Sequence, residues 1–326
     1  MKRNEPAAAP QTLQEAVLYF SDPDRALDFM VAIKWPGGVV CPKCGEGRPS
    51  FLKTRRIFKC RACKKQFSAK VGTIFEDSPI ALEKWLPCVW LIANAKNGIS
   101  SYEVARALGV TQKTAWFMLH RIRLAMQTPT FGKFGGSVEV DETYIGGKSR
   151  NMHHAKRERV IYGGRTGERH QSIGKTAIQG LLQRHSGGHS TVRAAVVPDV
   201  RKHRLQDNIR ANVREGANVY TDSLRSYDDL DVSYIHGVID HGERYVDGQI
   251  HTNGLENFWS LLKRALKGTY VAVEPFHLFR YLDEEVFRFN NRKDNDGGRF
   301  ESVMSSTIGK RVTYRALTGA DLPETC

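Results

Sequence analysis

The spacing of apolar positions changes character several times along the chain, and each change marks a candidate element. Val17, Leu18 and Phe20, then Ala26, Leu27, Met30 and Ile33, predict one or two short helices broken at Ser21-Asp22-Pro23. Trp35-Pro36-Gly37-Gly38 ends them as a turn. After Ser78-Pro79, the residues Leu82, Trp85, Leu86, Val89, Trp90 and Ile92 recur at helical spacing, and a second helical pair spans residues 100–126. Residues 128–136, rich in Gly and Pro, read as a linker. Beyond them the period shortens to two. Ser137–Ile145 places Val138, Val140 and Glu142 on one face and Glu139, Asp141 and Thr143 on the other. Residues 175–182 and 190–197 read as further strands, 203–215 as a helix, and 217–222 as a short strand tipped by an acid. From Asn253 the helical period returns. Leu255, Phe258, Trp259, Leu262 and Leu266 form an apolar stripe, with Glu256, Lys263 and Lys267 along its flank. Residues 276–289 read as a last helix, packed behind the sheet.

Charge adds a partner to this outline. Lys and Arg number 49 against 35 Asp and Glu, a net +14, which favours a polyanion, nucleic acid before an anionic membrane. No apolar run approaches the roughly 18–20 residues that span a bilayer. The polar N-terminus lacks the apolar core of a signal peptide. The expected location is therefore the cytoplasm, associated with the nucleoid, with cysteines present as thiols or metal ligands.

Four of the cysteines fall in one cluster, Cys41-Pro-Lys-Cys44 and Cys60-Arg-Ala-Cys63. Two residues between cysteines let both sulfurs of a knuckle face one tetrahedral ion, so the spacing predicts a structural Zn2+ site in a zinc ribbon. A module this short buries little core, and the metal would supply much of its stability. Arg55, Arg56, Lys59, Arg61, Lys64 and Lys65 surround it, consistent with a ribbon facing a polyanion or with a solvated surface. Cys88, on an apolar helical stripe, reads as packing.

Residues 99–123 have the cadence of a helix-turn-helix. Ser100 with Glu103 forms a capping box, Gly109 permits the turn, and Thr111 caps the second helix. Gln112, Lys113 and Thr114 would then meet base edges or phosphates in a major groove, with Arg121 and Arg123 adding backbone contacts. A helical hairpin used only for packing is the alternative.

Three acids stand out in the C-terminal half. Asp141 lies within a β-branched strand, Asp222 at a strand tip, and Glu256 on a helix. Taken singly, a strand-end ion pair, a helix N-cap and an Asn253-x-x-Glu256 capping box explain them as well as a metal does. Taken in order, they are how a ribonuclease-H-like fold assembles a two-metal site for phosphodiester chemistry. Carboxylates suit the hard ions Mg2+ or Mn2+. Lys148 and Arg150 open a basic stretch directly after the first acidic strand and read as a substrate grip or a solvated run.

At this point the motifs become specific. The Trp35-Pro-Gly-Gly turn, both CxxC knuckles, the stretch from Phe67-Ser68 to Gly72-Thr-Ile-Phe75, Val140-Asp-Glu-Thr-Tyr-Ile-Gly-Gly-Lys148 and His251-Thr-Asn-Gly-Leu-Glu-Asn-Phe-Trp-Ser-Leu-Leu-Lys-Arg264 resemble one group. It is the bacterial insertion-sequence transposases with an N-terminal zinc ribbon and a DDE domain (the IS fifteen-ninety-five type). The resemblance implies an enzyme that cuts at the terminal inverted repeats of its element and joins the freed 3′ hydroxyls to target DNA. It implies Asp141, Asp222 and Glu256 as a Mg2+-binding triad, with Lys263 beside it; Arg264 and Lys267, on the same basic helix, read as further DNA contacts. Asn253 and Asn257 are alternative third ligands, and His241 and His251 are either near the site or structural. Joining two DNA ends usually takes at least two protomers, so a homodimer or higher multimer on DNA is expected. A zinc-ribbon regulator with an inactive catalytic domain and a nuclease that cleaves without joining are the competing functions. The expected architecture is multidomain α+β: a helical lead (1–34), zinc ribbon (35–78), helix-turn-helix region (79–128), ribonuclease-H-like catalytic domain (129–295) and tail (296–326).

Overall fold

The computed structural model describes residues 10–127, 132–147, 154, 174–186, 188–239 and 251–318. Lys148, Arg150, His241 and most of the basic stretch after the first acidic strand lie outside the described residues. Those described divide into two compact units: the residues up to Gln127 together with those from Asn291 onward, and the residues between.

The first unit begins with α1 (Leu13–Phe20) and α2 (Pro23–Lys34), separated at the predicted break. The Asp22 carboxylate accepts from the Asp24 and Arg25 N–H groups, and Pro23, which has no N–H to satisfy, opens α2. Three short antiparallel strands follow, β1 (Ser50–Leu52), β2 (Ile57–Lys59) and β3 (Gln66–Phe67), in that order across a sheet. Then come α3 (Leu82–Asn94), α4 (Ser101–Leu108) and α5 (Gln112–Met126). The capping box at Ser100 and Glu103, the left-handed Gly109 and the Thr111 cap all form as their residue types predict.

Arg121 and Arg123 do not serve as expected. Both are buried, at 5% and 1% exposure, on the inner side of α5. Arg121 donates to the Ile74 and Glu76 carbonyls at 2.9 and 2.7 Å and stacks over the Phe117 ring. A guanidinium held this way ties the segment before α3 to α5 and is not presented to a groove. Cys88 is fully buried in α3, where burial pushes its thiol up to about 12, as a packing cysteine requires.

The second unit is a five-stranded sheet with helices on both faces. Its strands are β4 (Ser137–Ile145), β5 (Thr176–Ser186), β6 (His189–Val197), β7 (Asn218–Asp222) and β8 (Ile235–Ile239), ordered β6-β5-β4-β7-β8. The β4–β5–β6 meander is antiparallel, whereas β7 and β8 run parallel to β4. Helix α6 (Lys202–Asn212) covers the face bearing Val138, Val140, Leu181 and Val219. Helices α7 (Asn253–Ala265) and α8 (Leu278–Asn290) cover the other, where Leu255, Phe258 and Leu262 pack on Ile178, Leu182 and Val192. Burying each such side chain stabilises the unit by about 1.5–3 kcal/mol relative to exposure. The period-two alternation of β4 thus divides the strand between two cores.

After α8 the chain returns to the first unit. Residues expected as a tail instead form α9 (Asp296–Ser305), whose Phe300, Val303 and Met304 are fully buried. The Phe300 ring lies 5.5, 5.6 and 5.1 Å from those of Phe20, Phe29 and Trp90, so the helix completes the aromatic core begun near the N-terminus.

Candidate active site and metal centres

Strands β4 and β7 are adjacent and parallel, pairing Ser137 with Asn218 and Glu139 with Tyr220. Asp141 and Asp222 each lie two residues further on, so both acids emerge at the same end of the sheet. Ligand oxygens of Asp141, Glu142 and Asp222 fall within 4.8 Å of one another. Helix α7 supplies the other wall of an open cleft of about 390 Å3, lined by Asp141, Glu142, Thr143, Glu256, Trp259, Ser260 and Lys263. Glu256 and Lys263 therefore share a side of α7, as their seven-residue separation predicts. Lys267 does not share it. The α-helix ends at Ala265 and continues as a single π turn, Leu266–Tyr270, leaving Lys267 off the cleft lining. Arg264 is exposed on α7.

The acids repel. Burial first, then the charges of Asp222 and Glu256, push Asp141 up to about 6, against hydrogen bonds from Trp259 and its neighbour's N–H. Burial, with Asp222 and Asp141 nearby, pushes Glu142 up to about 8, although the Tyr227 hydroxyl donates to its Oε1. Carboxylates gathered at this density are a donor set suited to a divalent ion. Asp222 also accepts from the Leu224 N–H at 3.1 Å, so a local turn contact and membership of the cluster coexist in one side chain.

The Asn253-x-x-Glu256 capping box does not fit the helix start, because Thr252 is the cap and Glu256 falls one position beyond the third helical residue. Asn253 is the first residue of α7, not its cap, and Thr252 at the cap position makes no side-chain capping bond. The Leu255 N–H is instead satisfied at 3.0 Å by Oε2 of Glu139, reaching across from β4. The other Glu139 oxygen takes the Arg184 Nε at 2.7 Å, in a pair whose side chains are only 2% and 9% exposed. Arg184 also donates to the His251 carbonyl and contacts its ring nitrogen at 2.9 Å. Burial, then Arg184, hold that imidazole below its ordinary range. His251 is thus a structural partner of Arg184.

Glu139 has a companion two residues along the same strand face. Oδ2 of Asp141 accepts from Trp259 Nε1 at 2.9 Å. Positions i and i+2 of a strand lie roughly 6.6 Å apart, close to one turn of helix, so Glu139 and Asp141 meet Leu255 and Trp259 in step. Glu256 lies between those two attachments. The contact is close enough to need glycine: a Cβ on Gly180, opposite Asp141, would lie 2.6 Å from the Trp259 ring. Gly180→Ala is expected to displace that ring from Asp141, costing about 1–3 kcal/mol. Thermal unfolding and the Trp259 fluorescence check this, and an unchanged emission spectrum with full stability would contradict it.

Sequence reasoning missed Glu139, Glu142, Trp259, Tyr227 and Arg184 as site-supporting groups. Glu139 carried a signal, since it shares the strand face of Asp141 and is flanked by valines. The others depend on partners distant in the chain.

In the first unit the four cysteine sulfurs also gather within 4.8 Å, with Cys41–Cys63 and Cys44–Cys60 separations of 3.6 Å. Four thiolates about 2.3 Å from a tetrahedral Zn2+ would stand roughly 3.8 Å apart, so the set fits that ion. Phe58 and Phe67 stack beneath the knuckles and Trp35 meets both edge-on, which is a small core. Chelation is accordingly expected to release about one zinc per chain and to speed amide exchange across residues 41–67, leaving β4–β8 protected. Full protection of the ribbon after metal removal would contradict this. Of the groove-reading candidates on α5, Lys113 is exposed, Gln112 donates to the Ser101 hydroxyl at 2.8 Å, and Thr114 bonds the Thr111 hydroxyl.

A four-cysteine cluster and an acid-lined cleft at the end of a mixed sheet are two donor sets suited to metal ions. Comparison with known families agrees: residues 133–290 match the ISXO2-like transposase domain and residues 21–66 the transposase zinc-ribbon domain. The chain belongs to the insertion-sequence transposases that combine a zinc ribbon with a DDE domain. It is 29% identical over 277 residues to a protein in transposable element ISH50 of Halobacterium salinarum, covering 81% of this chain and 91% of that protein. It is 40% identical over 101 residues to a transposase-like protein of Haemophilus influenzae, 31% of this chain and 81% of that one. Among the described residues no helix is long and apolar enough to cross a membrane.

Proposed function

We propose that this chain binds the terminal inverted repeats of an insertion sequence, cleaves its ends and joins the 3′ hydroxyls to target DNA. The observation that carries the reading is the single cleft in which Asp141 and Glu256 line opposite walls, Asp222 stands beside Asp141, and Lys263 completes the helical side. The strand order, with three antiparallel strands followed by two parallel ones, supports a ribonuclease-H-like assignment for the second unit. The short turn between α4 and α5 supports a helix-turn-helix, with Lys113 at the exposed start of its second helix.

In this reading Asp141, Asp222 and Glu256 would hold Mg2+ or Mn2+. A pair of such ions would supply Lewis-acid activation of the attacking oxygen and charge stabilisation of the leaving oxygen of a phosphodiester. The protein's own groups set the geometry. Trp259 fixes the orientation of the Asp141 carboxylate, Tyr227 that of Glu142, and Lys263 offers a cation to a phosphate entering the cleft. Two DNA ends call for at least two protomers on the substrate. The test is to incubate the purified chain with duplexes carrying the element's terminal repeats and Mg2+, and to resolve the products. Nicked 3′ ends and joined strands are expected. Cleavage without joining would favour a nuclease, and repeat-specific binding without metal-dependent chemistry would favour a regulator.

A further inference from the structure

The ribbon's charges are not equivalent. Arg56 is committed to an ion pair with Asp24 of α2 at 2.7 Å, and Arg55 donates to the Gln66 side-chain oxygen at 2.9 Å. Lys59, Arg61 and Lys64 instead line one open cleft of about 480 Å3 with Ser50 and Cys60. The fold brings them there. Ser50 on β1 is the register partner of Lys59 on β2, and Arg61 and Lys64 belong to the knuckle that follows. Arg61 Nε donates to the Ser50 hydroxyl oxygen at 3.3 Å, which leaves the hydroxyl proton to point elsewhere. Lys64 has left-handed backbone, φ 60°, and its ammonium donates to the Arg61 carbonyl at 2.6 Å. That bond folds the lysine back over the knuckle, toward the cleft it shares with Arg61. No carboxylate is among the lining residues. Three cations and a hydroxyl around an acid-free concavity suit a group with several anionic oxygens on one centre.

We propose that this cleft is a phosphate-binding subsite of the zinc ribbon that grips the duplex DNA backbone, independent of sequence. The inference rests on the reading of the chain as a DNA-processing enzyme and adds a location and a contact chemistry to it. Backbone contacts of this kind position a protein without reading bases, so the ribbon holds the duplex while specificity lies elsewhere.

Each phosphate contact removed lowers the slope of log K against log salt by about 0.9. The experiment measures duplex binding across a salt series for the full chain and for the Lys59→Gln, Arg61→Gln, Lys64→Gln triple variant, with zinc content determined for both. One duplex carries the terminal repeat and one is scrambled. The triple variant is expected to lose roughly 2–3 of the slope, with affinity falling on the order of 10²-fold at 0.1 M salt, equally on both duplexes. Arg56→Gln, which breaks an internal ion pair, is expected to leave the slope unchanged. If the triple variant loses zinc, the three single variants replace it, each expected to lower the slope by about 0.9. A wild-type slope in the variants would overturn the subsite while leaving the transposase reading intact, and so would a loss confined to the repeat duplex. Absence of duplex binding by the wild type would overturn the transposase reading itself.

Discussion

Asp141→Asn is expected to abolish strand cleavage and joining, a loss of roughly 10³-fold or more, while leaving DNA binding and folding intact. The asparagine oxygen can still accept from Trp259 Nε1 at 2.9 Å, which retains the attachment of α7, while its NH2 gives up the bond that the second Asp141 oxygen accepts from the Glu142 N–H at 2.8 Å. What disappears is the negative charge offered to a divalent ion. The same charge is held in a buried place beside Asp222 and Glu256, which is why its carboxyl is pushed up to about 6. Removing it relieves repulsion but gives up the bond from the Glu142 N–H, so the melting temperature is expected to stay within a few degrees of the wild type. A product assay with and without Mg2+, alongside calorimetric unfolding, separates the two effects. Activity that survives the substitution would remove Asp141 from the metal centre. A variant that loses activity only because it unfolds would leave the role unsupported.

The second large effect concerns Glu139, which touches no substrate in this account. Its carboxylate satisfies the Leu255 N–H and pairs with Arg184, all of it buried. Glu139→Ala leaves a buried guanidinium without its carboxylate and the start of α7 without its cap. Breaking such a pair costs about 3–5 kcal/mol. For a unit of this size that corresponds to a melting temperature lower by about 10 °C. Because Glu256 follows Leu255 directly, α7 is expected to shift the third carboxylate relative to Asp141. A displacement of about 1 Å typically lowers catalysis by around 10²-fold. Activity measured well below the unfolding transition, together with the melting curve, checks both. Full activity in a destabilised variant would mean that Glu139 supports the fold without placing Glu256.

What could be read from the chain was local in origin. Val138 and Val140 alternate with Glu139 and Asp141 because a strand between two cores demands it, and that pattern is visible within nine residues. Ser100 and Glu103 announce the start of α4 for the same reason, as does Gly109 its end. The cysteine spacing was sufficient because two knuckles need only their own geometry. Contacts made at long range escaped. Glu139 and Leu255 are 116 positions apart, so the capping pattern at Asn253 and Glu256 looked self-sufficient when the cap came from another strand. Arg121 and Arg123 sit at helical positions that read equally well as exposed or buried. Only the Ile74 and Glu76 carbonyls, 47 and 45 positions away, decide that Arg121 points inward. Phe300 could not be assigned to a core until Phe20, Phe29 and Trp90 were seen beside it.

The central claim is that Asp141, Asp222 and Glu256 jointly hold the catalytic ions. Anomalous X-ray scattering from crystals of the full chain grown with Mn2+ tests it most directly. The account predicts manganese peaks between the Asp141 and Asp222 carboxylates, with a Glu256 oxygen within about 2.3 Å of one of them. Manganese held without Glu256, through Asn253 or Asn257 in its place, or no manganese at the β4–β7 end of the sheet, would contradict it.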